Sequence, residues 1–93
     1  MIRTFSSSET ERLFKREGVA EFAIIERAAL RRLVSLDNAG ALTDLRIPPG
    51  NSLEALKGDR AGQHSIRIND QYGICFTWKE DGVHGVEITK HYD

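Results

Sequence analysis

The sequence predicts an α+β domain in which two amino-terminal helices pack on one face of a small, largely antiparallel sheet. Three observations carry that prediction. Apolar residues recur at steps of three and four up to residue 36 and then switch to steps of two beyond residue 53. Turn residues divide the second half into short runs at hairpin spacing, at Asn69-Asp70 and at Glu80-Asp81-Gly82. The 93 residues, 40% hydrophobic and 29% charged, are enough for one core and too few for a second, so residues 1–93 are expected to form one domain.

In chain order, Met1 to Phe5 reads as a short edge strand interrupted by Arg3 and Thr4. Ser6-Ser7-Ser8 then offers helix caps, with Ser8 and Glu11 as a capping box and Ser6 and Glu9 as the alternative register. The first helix buries Leu13 and Phe14 and is expected to stop at Gly18. From Glu21, the residues Phe22, Ile25, Ala29, Leu33 and Leu36 share one helical face. The opposite face of this second helix carries Glu21, Arg27, Arg31 and the neighbouring Arg32, and a charged face of this kind is by default solvated, with a partner-binding or ribosome-binding face as the alternative reading. Asp37-Asn38-Ala39-Gly40 ends the helix, and Leu42 to Ile47 leads into Pro48-Pro49-Gly50, which neither a helix nor a central strand accepts.

Strands are expected at Leu53 to Leu56, Ser65 to Asn69, Tyr72 to Trp78 and Val83 to His91. Alternation sorts them into two faces. Ile66, Ile68, Tyr72, Ile74, Phe76, Trp78, Val86 and Ile88 go to the core with His64, while Ser65, Arg67, Asn69, Gly73, Cys75, Thr77, Glu87, Thr89 and His91 share the open face. Candidate chemistry collects there.

The formal net charge of −1 counts against a free-standing nucleic-acid binder, which usually draws affinity from a basic surface. Cys75 is the only cysteine, so there is no internal disulfide and no cysteine-based zinc cluster, and its default role is a buried small hydrophobe. No apolar run is long enough to cross a bilayer, and no signal-peptide core precedes the first helix, so a cytoplasmic protein with no membrane partner is expected.

The stretch from Leu42 to Tyr72, with Leu42-Thr43-Asp44-Leu45-Arg46-Ile47-Pro48-Pro49-Gly50 and Leu56-Lys57-Gly58-Asp59-Arg60 within it, closely resembles the HigB-type toxins of the RelE/ParE superfamily. The resemblance runs from Met1-Ile2-Arg3 to Val86-Glu87-Ile88. It implies a RelE-like fold of two helices and a curved sheet whose open face binds mRNA. It further implies the toxin of a type II toxin-antitoxin pair, a metal-independent endoribonuclease that enters the ribosomal A site and cuts mRNA there without a cofactor. Its partners would be the ribosome, mRNA and a HigA-like helix-turn-helix antitoxin, with operator DNA reached only through that antitoxin.

RNA cleavage by the 2′-hydroxyl needs a base for its proton, a cation for the crowded phosphate and an acid for the leaving 5′-oxygen. Lys57 matches the family's motif lysine, and Arg46, Arg60, Arg67 and Lys90 are candidate contacts for RNA or ribosome. Taken without the resemblance, Lys57 to Arg60 is an ordinary solvated charge cluster. His91-Tyr92-Asp93 closes the chain where relatives often end in Asp-Tyr-His, so His91 is a candidate base or acid and Tyr92 a stacking group or proton donor. A terminal tripeptide is by default a frayed end. Glu54 stands where some relatives have histidine, which keeps a base role open but differently tuned.

The sharpest departure is at Gly73. The family pattern reads Gln-aromatic-Arg-Ile, whereas this chain has Gln71-Tyr72-Gly73-Ile74. A mid-strand glycine packs nothing, so it reads as a lost side chain that attenuates cleavage. A change introduced to spare the host and a naturally feeble variant both stay open. Two alternatives stand beside the endonuclease: a ParE-like gyrase inhibitor, which needs no catalytic side chain, and an inactive relative that only binds antitoxin.

Overall fold

The computed structural model describes residues 1–90. Helix α1 spans Ser8–Phe14 and α2 spans Glu26–Asn38, and strands β1 (Glu54–Ala55), β2 (His64–Arg67), β3 (Tyr72–Lys79) and β4 (Gly82–Lys90) form one antiparallel sheet in chain order. The predicted α+β architecture is present. The predicted end of the last strand at His91 lies outside the described residues.

The cap of α1 is Ser7, not Ser8 or Ser6. Its backbone is extended (φ −134°, ψ 125°), and its hydroxyl accepts from the Thr10 amide at 3.2 Å, which satisfies one of the orphan donors of the first turn. Glu11 instead pairs with Lys15 at 3.4 Å, and Ser8 donates to Glu9, so neither expected capping box forms. The helix also stops before Gly18. Arg16 takes the left-handed turn (φ 68°), and the amides of Arg16 and Glu17 reach back to the carbonyls of Leu13 and Arg12, so the last turn is closed without glycine.

The second helical pattern breaks in two. A 3-10 turn at Ala20–Phe22 precedes α2, which begins at Glu26 rather than Glu21. Phe22 and Ile25 are nevertheless buried with Ala29, Leu33 and Leu36, because the turn keeps the same apolar face toward the sheet while changing the path of the backbone. Arg32 is half-buried, and its Nε donates to the Arg67 carbonyl at 3.1 Å.

Between α2 and β1 the chain makes 3-10 turns at Leu42–Arg46 and Pro49–Asn51. The Asp44 carboxylate accepts from the amides of Gly40 and Ala41, and the buried Asn51 donates to the Leu45 carbonyl at 3.2 Å. These polar bonds hold a segment with little regular structure.

One apolar cluster lies between the helices and the sheet, with Leu13, Leu33, Leu36, Ile66, Ile74, Phe76, Val83 and Val86 among its fully buried members. Val83 and Val86 both point inward although they are three residues apart, which regular alternation forbids. A bulge resolves the conflict: the β3–β4 register shifts between Cys75 and Thr77, and Gly85 adopts φ 61°. In the hairpin turn, Gly82 has φ 140°, and a Cβ there would come within 2.5 Å of the Met1 carbonyl oxygen. The amino-terminal segment makes only isolated parallel bridges to β4, Ile2 with Val83 and Phe5 with Val86, so the expected edge strand is a strap along β4. Thr10 ties α1 to that strand by accepting from the Ile88 amide at 3.0 Å.

Candidate functional site

The face of the sheet turned away from the helices carries two side-by-side rows. Register places Glu54, Ser65, Cys75 and Glu87 across the four strands in one row, and Arg67, Gly73 and Thr89 across three strands in the next. Position 73 therefore lies one strand from Arg67 and one from Thr89, about 5 Å each way. The parity read from the sequence holds for the members paired in the sheet, whereas Asn69 falls in the turn after β2, where its Oδ1 accepts from the Gln71 and Tyr72 amides.

Small residues make its floor. Ser65, Gly73 and Cys75 are all buried, and Cys75 Sγ lies 3.4 Å from the Thr89 hydroxyl. Cys75 is thus buried as expected, though under the open face rather than in the helix-side cluster. Longer side chains rise around this floor, and Ser52, Glu54, Ser65 and Arg67 line a small cavity of about 50 Å³. Glu54 and Arg67 are both exposed there, a carboxylate and a guanidinium available to one ligand.

Lys57 lies on the loop that follows β1. It is exposed and precedes a 3-10 turn at Gly58–Arg60. Arg60 fixes this loop to the sheet, because its Nη1 donates to Glu87 Oε1 at 2.9 Å and to Gln63 Oε1 at 3.0 Å. The hydrogen bond to Glu87 raises the Arg60 pKa further above its ordinary value. Arg60 is accordingly a pinned cation, already compensated by a carboxylate, whereas Arg67 makes only a loose contact of 3.9 Å with Asp70.

Two of the other candidates fall elsewhere. Lys90 alternates with Thr89 and has the parity of the inward Ile88, and its partner Tyr72 packs edge-on against Phe22, so Lys90 is on the helix side of the pleat. Arg46 is exposed on the Leu42–Arg46 turn, and no side-chain hydrogen bond or ion pair among the described residues joins it to the open face. His91 and Tyr92 lie outside the described residues.

Sequence reasoning placed Ser65 and Glu87 on this face but assigned them no role, and it missed Gln63. Glu87 was findable by parity, but its bond to Arg60 spans 27 positions and no local pattern announces it. Among the described residues, no group of three or more His, Cys, Asp or Glu side chains is placed to hold a metal ion.

Comparison with known proteins gives this face a context. Residues 3–91 match the family model for the RelE-like toxin of the type II toxin-antitoxin system HigB. The chain belongs to the HigB-like toxin family. Toxin HigB-1 of Vibrio cholerae is 48% identical over 69 residues, covering 74% of this chain and 68% of that protein. An uncharacterized protein of Haemophilus influenzae is 33% identical over 61 residues, covering 66% and 60%. Among solved structures, the YoeB-YefM complex from Staphylococcus aureus aligns with a TM-score of 0.59 at 21% identity, covering 99% of both chains. A heterotetrameric YoeB-YefM toxin-antitoxin complex from the same organism aligns at 0.58 and 15% identity, covering 100% of this chain and 99% of that one. At these identities the structures support the fold alone. This HigB-like chain is a toxin of a type II toxin-antitoxin system, and no helix among its described residues is long and apolar enough to cross a membrane.

Proposed function

We propose that this HigB-like toxin is a ribosome-dependent mRNA endonuclease whose chemistry takes place on the open face of the sheet, within one toxin domain over residues 1–93. The observation that supports the proposal is that Glu54, Arg67 and position 73 share one face of the sheet in adjoining rows, with Glu54 and Arg67 lining one small cavity, or trough, and Arg60, next along the chain from the Lys57 loop, bonded to Glu87 of that face. Glu54 takes the proton of the attacking 2′-hydroxyl. As the 2′-oxygen bonds to phosphorus and the bond to the 5′-oxygen breaks, Lys57 and Arg67 stabilise the charge gathering on the phosphate oxygens. The leaving 5′-oxygen takes a proton from His91 or Tyr92.

The net charge of −1 fits this reading, because a toxin delivered to its message by the ribosome needs cations only at the scissile phosphate and the docking points. Arg46 and Lys90, placed off the trough, suit ribosome docking rather than the phosphate. The protein acts in the cytoplasm, in the A site of a translating ribosome. A HigA-like helix-turn-helix antitoxin neutralises it and brings it to operator DNA.

Gly73 supports a second reading, a relative that binds antitoxin but cleaves feebly or not at all. The test is to translate a defined mRNA with purified ribosomes and map 5′ ends with the chain and with its Glu54→Gln and Lys57→Ala variants. New ends inside A-site codons that both substitutions reduce support cleavage by this face. Ends that neither substitution changes would refute the assignment.

A further inference from the structure

Beyond the open face, the exposed side of α2 carries a second built surface. Arg27, Leu30, Arg31 and Val34 follow at steps of three and four and so form one stripe along the helix, opposite the buried Ala29, Leu33 and Leu36. With Ser35 and with Arg16 from the end of α1, they line a groove of about 560 Å³. Leu30 and Val34 give it an apolar floor, and the guanidinium groups of Arg16, Arg27 and Arg31 stand around that floor. No carboxylate lines it, and among the described residues none of these arginines has an ion-pair partner. A chain of net charge −1 thus concentrates around one apolar patch three arginines that have no ion-pair partner among the described residues.

We infer that this groove is the docking site for an acidic amphipathic segment of the antitoxin. The chemistry of the groove selects its occupant. An apolar floor favours a protein segment that inserts two or three aliphatic side chains, since an RNA backbone would leave Leu30 and Val34 uncovered. The surrounding arginines, which bind carboxylates through a bidentate fork, select glutamates or aspartates flanking those side chains. The two surfaces lie on different layers, one on the outer face of α2 and the other on the sheet face turned away from the helices. The antitoxin can therefore hold the toxin without filling the trough. This inference takes the identity of the partner from the toxin reading, but it does not depend on cleavage.

The test measures affinity of the full chain for the antitoxin encoded beside it, comparing the wild type with Arg27→Glu/Arg31→Glu, the milder Arg27→Ala/Arg31→Ala, and Lys79→Glu as a distant charge control. Circular dichroism and thermal melts establish that each variant folds. Losing two close charge pairs should weaken the complex about 100-fold, roughly tenfold for each arginine, with a smaller loss for the alanine pair and none for Lys79→Glu. Ribosome and single-stranded RNA binding, measured in parallel, should not move. If antitoxin affinity stays unchanged while ribosome or RNA binding falls, the groove is a nucleic-acid surface and the inference is overturned. Unchanged affinity for antitoxin, ribosome and RNA overturns it equally. Failure of the cleavage assay alone would count against the trough and leave this surface untouched.

Discussion

Replacing Gly73 with arginine should restore strong toxicity, and the structure sets the scale of the effect. Position 73 faces Arg67 on β2 and Thr89 on β4 across one strand spacing each, and its row adjoins the row containing Glu54. A guanidinium growing from this point joins Arg67 in a two-cation clamp over the trough. Preorganised groups of this kind contribute roughly 3 to 4 kcal/mol to the transition state, so cleavage should rise about 10² to 10³-fold. Stability should change far less. Filling a mid-strand glycine gains roughly 0.5 to 1 kcal/mol. A like charge directly opposite works against that gain, and Asp70 beside Arg67 partly offsets it. Because Gly73 itself is buried, the new side chain must pass its neighbours before reaching solvent, which caps any gain in stability. The assay induces both versions to equal levels in cells without antitoxin and follows growth and mRNA 5′ ends, with melts of both proteins alongside. Equal cleavage from two equally folded proteins would refute the reasoning and move the catalytic burden to Lys57, His91 and Tyr92.

Thr10→Val removes the acceptor for the buried Ile88 amide while keeping the side chain's shape, so it should cost roughly 1 to 3 kcal/mol, read as a lower urea midpoint. Glu87→Gln takes the countercharge from Arg60, so RNA binding should tighten and its dependence on salt should steepen by about one counterion; a fixed salt slope would show that Arg60 never reaches the phosphate. The hydrogen bond with His84 at 2.8 Å holds the Asp81 carboxyl below its usual pKa. A lowered folded-state pKa contributes stability above the ordinary carboxylate range, and this is lost as pH falls through the folded-state value. Asp81→Asn should therefore flatten the acid limb of a stability profile measured below about pH 4, and an unchanged limb would show that the pair contributes nothing to it.

The parts legible in the sequence were those that depend on short-range periodicity. Alternation placed Arg67, Gly73, Cys75, Glu87 and Thr89 on one face, and it could do so because the large apolar residues of each strand, Ile66, Ile74, Phe76, Val86 and Ile88, occupy the alternate positions. Gly82 was legible as a turn because only a positive φ closes that hairpin. The helix boundaries were less so. The cap fell to Ser7 among three adjacent serines, and the left-handed turn fell to Arg16 although Gly18 is intrinsically better suited, with the Arg16 and Glu17 amides closing the last turn two residues before that glycine. The bulge at Gly85 escaped notice, since a glycine beside Val86 gives no local sign that the register shifts. Contacts between distant residues, such as Arg60 with Glu87 or Asn51 with Leu45, were invisible because neither partner's neighbourhood encodes the other.

The most direct test of the central claim is single-turnover cleavage of an mRNA in programmed 70S ribosomes, compared with the same mRNA free in solution and with gyrase supercoiling. The account predicts 5′ ends confined to A-site codons, appearing only with ribosomes present, slow for the Gly73 chain and about 10² to 10³ times faster for Gly73→Arg. Inhibited supercoiling without any ribosome-dependent ends from either version would contradict it.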